Sequence, residues 1–144
     1  MKHIFPITSI EILSSFIPQR PPIMMVDKLI MFSESTIVGA LTVKSENIFV
    51  KNNLLQEPGI IEHMAQTVAL HTGFDFFLRN EKAPTGYIGS IKFIEIEKLP
   101  KVNDEIITEV TIIQEFLGVT LVEIISKCNG IIISKGELKT VIAS

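Results

Sequence analysis

A carboxylate and an imidazole stand side by side at Glu62 and His63, with an amide, Gln66, one helical turn further on. Carboxylates and imidazoles are the common side-chain proton donors and acceptors, and each works best when its pKa is tuned toward the operating pH. If this stretch is helical, Gln66 at i+4 can hydrogen-bond Glu62. Neighbouring helix positions point about 100° apart, so Glu62 and His63 do not form a direct dyad. His63 could serve as a base if a second subunit brings it toward a substrate; packing inside the helix is the plainer role. For Glu62 the plain role is a first-turn charge stabilised by the helix dipole. Upstream, Asn52 and Asn53 suit a turn, and Asn53 also offers an orienting hydrogen bond. Arg20 could meet a phosphate or an acidic partner, or simply pair with Asp27. His71 reads as core or interface and His3 as part of the N-terminal tail. With one cysteine, Cys128, the chain has no internal disulfide and no thiolate set for zinc. That suits a reducing compartment, and no metal site is expected.

These residues need elements to hold them. Residues 59–80 form the one long helical candidate, entered at Pro58 and apolar nearly all round, as a helix inside a larger core would be. Thr8 and Glu11 are spaced as a capping box for a short helix, with Ile10, Leu13 and Phe16 or Ile17 on one face, ended by Pro18, Pro21 and Pro22. Extended runs follow at 23–32 and 35–44, joined by a tight turn at Ser33 and Glu34. Residues 45–58 show no period and read as a loop. After the long helix come strands at 87–97, 105–115, 119–127 and 131–141. In the first of these, Ile91, Phe93 and Glu95 are expected to share a face. Asn129-Gly130 is a strong hairpin signal, and Leu117-Gly118 breaks the pair before it. The predicted order is short helix, two strands, long helix and a four-strand meander, an α+β layout with a single helix–sheet core.

Composition narrows the rest. At 144 residues the chain is one domain, 1–144, able to bury a core without a staple. A hydrophobic fraction of 47% excludes a disordered segment, and a net charge of −3 argues against a nucleic-acid partner. Mean hydropathy is high at +0.41. Yet no apolar run approaches the roughly 18 residues of a spanning helix, and the N-terminus is too polar and proline-rich for a leader. A soluble, cytoplasmic, β-rich domain is expected.

Two segments then resemble a known family. Ile17-Pro18-Gln19-Arg20-Pro21-Pro22-Ile23-Met24-Met25-Val26-Asp27 resembles the Leu-Pro-His-Arg-x-Pro-Phe-Leu-Leu-Val-Asp opening of the 3-hydroxyacyl-(acyl carrier protein) dehydratases. Gly59-Ile60-Ile61-Glu62-His63-Met64-Ala65-Gln66 is similar to their Ile-Ile-Glu-Ala-Met-Ala-Gln helix start. The order of elements resembles theirs from about residue 12 to the C-terminus. The resemblance implies a hot-dog fold, an antiparallel sheet wrapped around one long central helix. It is greatest to the divergent subgroup of aryl-polyene and flexirubin-type pigment pathways, which share the short loop before the helix.

In that family a histidine on the loop before the helix takes the proton next to the thioester, and the helix carboxylate protonates the departing hydroxyl. Glu62 matches the carboxylate. The histidine has no match, since residues 45–58 contain none and offer Lys51, Asn52, Asn53 and Gln56 instead. Gln19 stands where the opening motif has another histidine, one without a catalytic part. The resemblance implies dehydration of 3-hydroxyacyl thioesters to trans-2-enoyl thioesters in fatty-acid or polyene-type biosynthesis. The residues involved would be Glu62 as proton donor, His63 or Asn53 in support, and the amides near Gly59 polarising the thioester carbonyl. Gln66 and Arg20 would hold the substrate. It implies no cofactor beyond the phosphopantetheine that carries the acyl chain on an acyl carrier protein, and a homo-oligomer, at least a homodimer, with its site at the interface. The missing loop histidine motivates two alternatives: an acyl-binding partner subunit that forms a hetero-oligomer with an active dehydratase homologue, or a thioesterase.

Overall fold

A computed structural model describes residues 4–143; His3 lies outside them. In chain order the elements are α1 (Ile10–Leu13), β1 (Lys28–Phe32), β2 (Thr36–Thr42), β3 (Val50–Lys51), β4 (Leu54–Leu55), α2 (Glu57–Leu78), β5 (Gly86–Ile96), β6 (Glu105–Phe116), β7 (Val119–Cys128) and β8 (Ile131–Ile142). Six strands form one antiparallel sheet in the order β1-β2-β6-β7-β8-β5, with β3 and β4 as a separate hairpin. The sheet curls about α2, which packs chiefly against β2 and β6. This is the hot-dog arrangement.

The β-branched runs explain the strands and the alternation explains the core. Ile106, Thr108 and Val110 of β6 are buried while Ile107 and Glu109 are exposed, the period-two signature of a sheet with one covered face. Ile60, Met64, Leu70 and Phe74 of α2 are fully or almost fully buried, each contributing roughly 2 to 3 kcal/mol of burial. Met24, Met25 and Met64 are core side chains. One end of the helix is fixed by a close approach: a Cβ at Gly73 would stand 1.8 Å from the Phe16 carbonyl oxygen.

Several sequence expectations shift. Ser9, not Thr8, caps α1, accepting from the Ile12 amide at 3.3 Å, and Ile10 faces out. The run from residue 23 becomes a strand only at Lys28, because the Met25 amide is taken by a side chain of α2 rather than by a neighbouring strand. Part of the loop at 45–58 pairs as β3 and β4, with Asn52 and Asn53 both in the left-handed region at their turn. The long helix begins two residues earlier than expected, at Glu57. The last four strands are not a simple meander: β5 lies outside β8, while β6 turns to β2. A bulge between Ile91 and Phe93 puts those two residues opposite Leu138 and Glu137, hence on opposite faces; Phe93 and Glu95 share one.

Candidate functional site

Along α2, Glu62, Ala65, Ala69, Thr72 and Phe76 recur at three- and four-residue intervals and remain half-buried, with Ile61 and Asp75 beside them, while the rest of the helix from Gly59 to Phe74 is buried. The chain therefore leaves a stripe of its central helix open, with Glu62 near its start and Asp75, paired with Arg79, near its end. Its Oε1 accepts from Gln66 Nε2 at 2.9 Å. Gln66 is itself fully buried and uses its whole amide: Nε2 also donates to the Ile23 carbonyl at 2.9 Å, and Oε1 accepts from the Met25 amide at 2.6 Å. The proline-rich opening and the helix start, separate in sequence, are thus tied together by one side chain that also orients Glu62. The sequence suggested the Gln66–Glu62 bond; the two backbone partners carried no side-chain signal.

His63 lies in the opposite environment. Its side chain is fully buried, with Nδ1 2.7 Å from the Met25 carbonyl and Nε2 2.8 Å from Thr108 Oγ1. A carbonyl only accepts, so Nδ1 carries the proton, and Nε2 accepts from the Thr108 hydroxyl. Thr108 Oγ1 in turn lies 2.7 Å from Ser126 Oγ, which donates to it. Burial pulls the imidazole pKa down to about 4, against a smaller upward pull from the Met25 carbonyl, so the ring is neutral. Both nitrogens are engaged within the core. A base presented to substrate needs a free nitrogen, and His63 has none; its place is inside the helix–sheet layer.

The remaining candidates fall apart from Glu62. Gly59 is buried where a Cβ would come within 2.7 Å of the Leu55 and Phe49 side chains. Its amide donates to the Gln56 carbonyl at 2.9 Å. Asn53 is exposed at the β3–β4 turn, its carbonyl accepting from the Val102 amide at 3.1 Å. Arg20 does not pair with Asp27; its guanidinium donates to the Ile17 and Gln19 carbonyls at 2.7 and 2.9 Å and holds the end of the first turn. Asp27 Oδ2 instead accepts from the Thr42 amide at 2.8 Å. Asp27 lines a groove of about 310 Å³ with Pro21, Pro22, Met24, Lys44 and Ile48, whose walls do not include Glu62. Burial raises the Asp27 carboxyl above its usual range, partly offset by the Thr42 hydrogen bond. Beside it, Lys28 forms an ion pair with Glu105. His71 stacks on Phe32 and meets the Ser33 carbonyl at 3.0 Å. Cys128 is buried, its thiol pushed up to about 11 by burial, and so is a poor nucleophile. Among the described residues no group of His, Cys, Asp or Glu could hold a metal ion, and no helix is long and apolar enough to cross a membrane.

An antiparallel sheet wrapped around one long helix defines a hot-dog protein. The comparisons with known proteins carry this to a family: the model of the ApeP-like dehydratases matches residues 11–140, and the chain belongs to that family. Among curated proteins no sequence matches. Among solved structures, the chain is similar to one from the dehydratase heterocomplex ApeI:P of Xenorhabdus doucetiae, with a TM-score of 0.84, 17% identity, and 92% of this chain and 91% of that one covered. It is also similar to the E. coli PaaI protein from the phenylacetic acid degradation operon, at a TM-score of 0.65 and 10% identity, covering 78% and 80%. A hypothetical thioesterase with coenzyme A from Streptococcus pneumoniae matches at 0.65 and 9%, covering 81% and 84%. At these identities the likeness shows the shared fold.

Proposed function

We propose that this chain supplies the acid half of a 3-hydroxyacyl thioester dehydratase whose base comes from a second subunit. A base takes the proton from the carbon next to the thioester, the C–O bond at the β-carbon breaks, and Glu62 gives its proton to the departing hydroxyl. The products are water and a trans-2-enoyl thioester, and the proton held by the base restores the pair. The observation that carries the reading is the contrast at the start of α2. Gln66 holds Glu62 on the open stripe, while both nitrogens of the neighbouring His63 are spent in the core.

The second subunit has a place to bind. The first eight residues of β5 are exposed, and one edge of that strand has no neighbouring strand among the described residues. Strand addition there by another hot-dog chain would form at least a dimer and bring foreign residues toward the open stripe of α2. That the similar Xenorhabdus structure is a heterocomplex supports a dehydratase homologue as this partner. In this reading the acyl chain arrives on the phosphopantetheine of an acyl carrier protein in the cytoplasm, and the reaction calls on no other cofactor. Arg20, with its guanidinium bound to backbone carbonyls, is left a supporting part at most in receiving it.

The test is hydration of a short trans-2-enoyl thioester by the chain alone, by a dehydratase homologue alone, and by the two together. The mixture is expected to exceed the sum of the separate rates. Glu62→Gln in the mixture is expected to lower kcat by about a hundredfold to ten-thousandfold, the usual range for a lost general acid. Full activity of the chain alone, or a Glu62→Gln mixture as fast as wild type, would overturn the reading.

A further inference from the structure

Two hairpin turns of this sheet share one backbone shape and differ in one residue. Asn129-Gly130 has φ values of 53° and 76°, and Leu117-Gly118 has 49° and 78°. The left-handed region suits asparagine, whose side chain tolerates it, and disfavours leucine. Leu117 is nevertheless there, 85% exposed, next to Phe116 at 67%. A residue held against its backbone preference, with its apolar side chain in water, points to a contact outside the chain.

The register shows what surrounds it. Phe116 lies opposite Val119, Val119 opposite Val141, and Val141 opposite Tyr87. Directly opposed residues share a face, so four apolar side chains form a row across β6, β7, β8 and β5. Val119 and Val141 are each three positions from a buried residue, Val122 and Leu138, so the row lies on the outer face, away from α2. A chain adding to the β5 edge extends the sheet in its own plane and leaves this face open. On the same outer face, next to the row, signs alternate: Lys139 sits opposite Leu121, Glu137 opposite Glu123, and Lys135 opposite Ile125.

We propose that this corner is the seat of a second copy of the chain, packed outer face to outer face about a two-fold axis with Leu117 as its anchor. The alternating charges carry the choice of occupant. Glu137 is held by Lys92 of its own chain at 3.0 Å, so the strip offers Lys139 and Lys135 beside Glu123. It is self-complementary, and in an isologous pair the lysines of one copy face Glu123 of the other. An anionic membrane would call for cations around the turn, and residues 112–122 carry one charge, Glu115. The contact is independent of the proposed dehydration and of the β5 edge.

Sedimentation velocity of the wild-type chain across micromolar concentrations is expected to show reversible self-association. Leu117→Asn, which suits the turn and so should keep the fold, and Phe116→Ser are each expected to weaken it about tenfold or more. Lys139→Glu should also weaken it, and Lys139→Glu with Glu123→Lys should restore part of the loss. A wild type that stays monomeric, or variants that associate as wild type does, would overturn the proposal. So would a Leu117→Asn that keeps self-association but loses binding to vesicles of phosphatidylglycerol and phosphatidylethanolamine, which would make the hairpin a membrane contact. None of these outcomes bears on the mixed-subunit assay, so the two readings fail separately.

Discussion

Glu62 and His63 are neighbours in sequence and live in opposite surroundings. Glu62 stands on the open stripe of α2 with one hydrogen bond from Gln66, whereas His63 points into the sheet with both nitrogens engaged and no solvent contact. A turn of about 100° per residue is enough to separate a group that can meet a substrate from one that can only hold the core. Two titratable side chains at adjacent positions are therefore expected to fail in different ways when changed.

The largest expected effect is on catalysis. Glu62→Ala should reduce the rate of the complete enzyme by about a hundredfold or more while changing unfolding free energy by less than about 1 kcal/mol, because its single bond is half-exposed. His63→Ala should do the reverse, costing about 2 to 4 kcal/mol through the lost packing and the unpaired Thr108 hydroxyl and Met25 carbonyl. Denaturant unfolding of both variants beside their kcat values decides it. Equal destabilisation by the two changes would break the comparison.

Acid should separate them next. The unfolded imidazole titrates near its model value of 6.5 and the folded one near 4. Between those values the unfolded chain binds more protons, so stability is present in full above about pH 6.5 and falls as pH drops toward 4, by about 3 kcal/mol in all. Asp27 works with the other sign: its raised folded pKa means that acidification just above 3.8 favours the folded state, which blunts the lower end of the same window. Stability measured from pH 7 to 4 should therefore slope steeply for wild type and be nearly flat for His63→Leu, whatever the latter's absolute stability. A slope unchanged by the substitution would mean that the imidazole is reached by water.

How much of this was legible depends on where the information resides. The order of the main elements followed from period-two and helical spacing, and the candidate acid from the Glu62–Gln66 interval together with the resembling helix start. The role of His63 was not readable, since the same residue fits a packed core or a base, and only the partners brought by β6 and by the segment before β1 decide between them. Thr108 and Ser126 did leave a trace, as polar residues at positions where the alternation of β6 and β7 calls for apolar ones. The Ile91–Phe93 bulge left none, because a bulge depends on pairing with β8 rather than on composition. The edge position of β5 was hidden for the same reason: strand order is set by contacts between segments distant in sequence.

Gln66 bridges the two environments, and its replacement is expected to have an intermediate effect. Gln66→Leu would leave the buried Met25 amide without its acceptor and release Glu62 Oε1. About 1 to 3 kcal/mol of stability should be lost, together with a fall in kcat that KM does not share. Gln66→Glu keeps an acceptor for Met25 but sets a second carboxylate beside Glu62. It should recover part of the stability while shifting the acid limb of the pH–rate profile, a change that a purely structural glutamine would not produce.

The smallest effect lies at the far end of the buried polar chain. Ser134 lies opposite Ser126 in the register, yet its hydroxyl is buried with no hydrogen-bond partner among the described residues. Along the line from the Met25 carbonyl through His63, Thr108 and Ser126 every donor has an acceptor, so each member there stabilises its neighbours; Ser134 contributes only the cost of removing a hydroxyl from water. Ser134→Ala should therefore be neutral or stabilising by up to about 1 kcal/mol, whereas Ser126→Ala, which removes the donor to Thr108, should destabilise by about 1 kcal/mol. Paired melts of the two variants read the difference directly. A destabilising Ser134→Ala would show that the chain extends one strand further, onto β8, and that the polar line inside the core spans three strands instead of two.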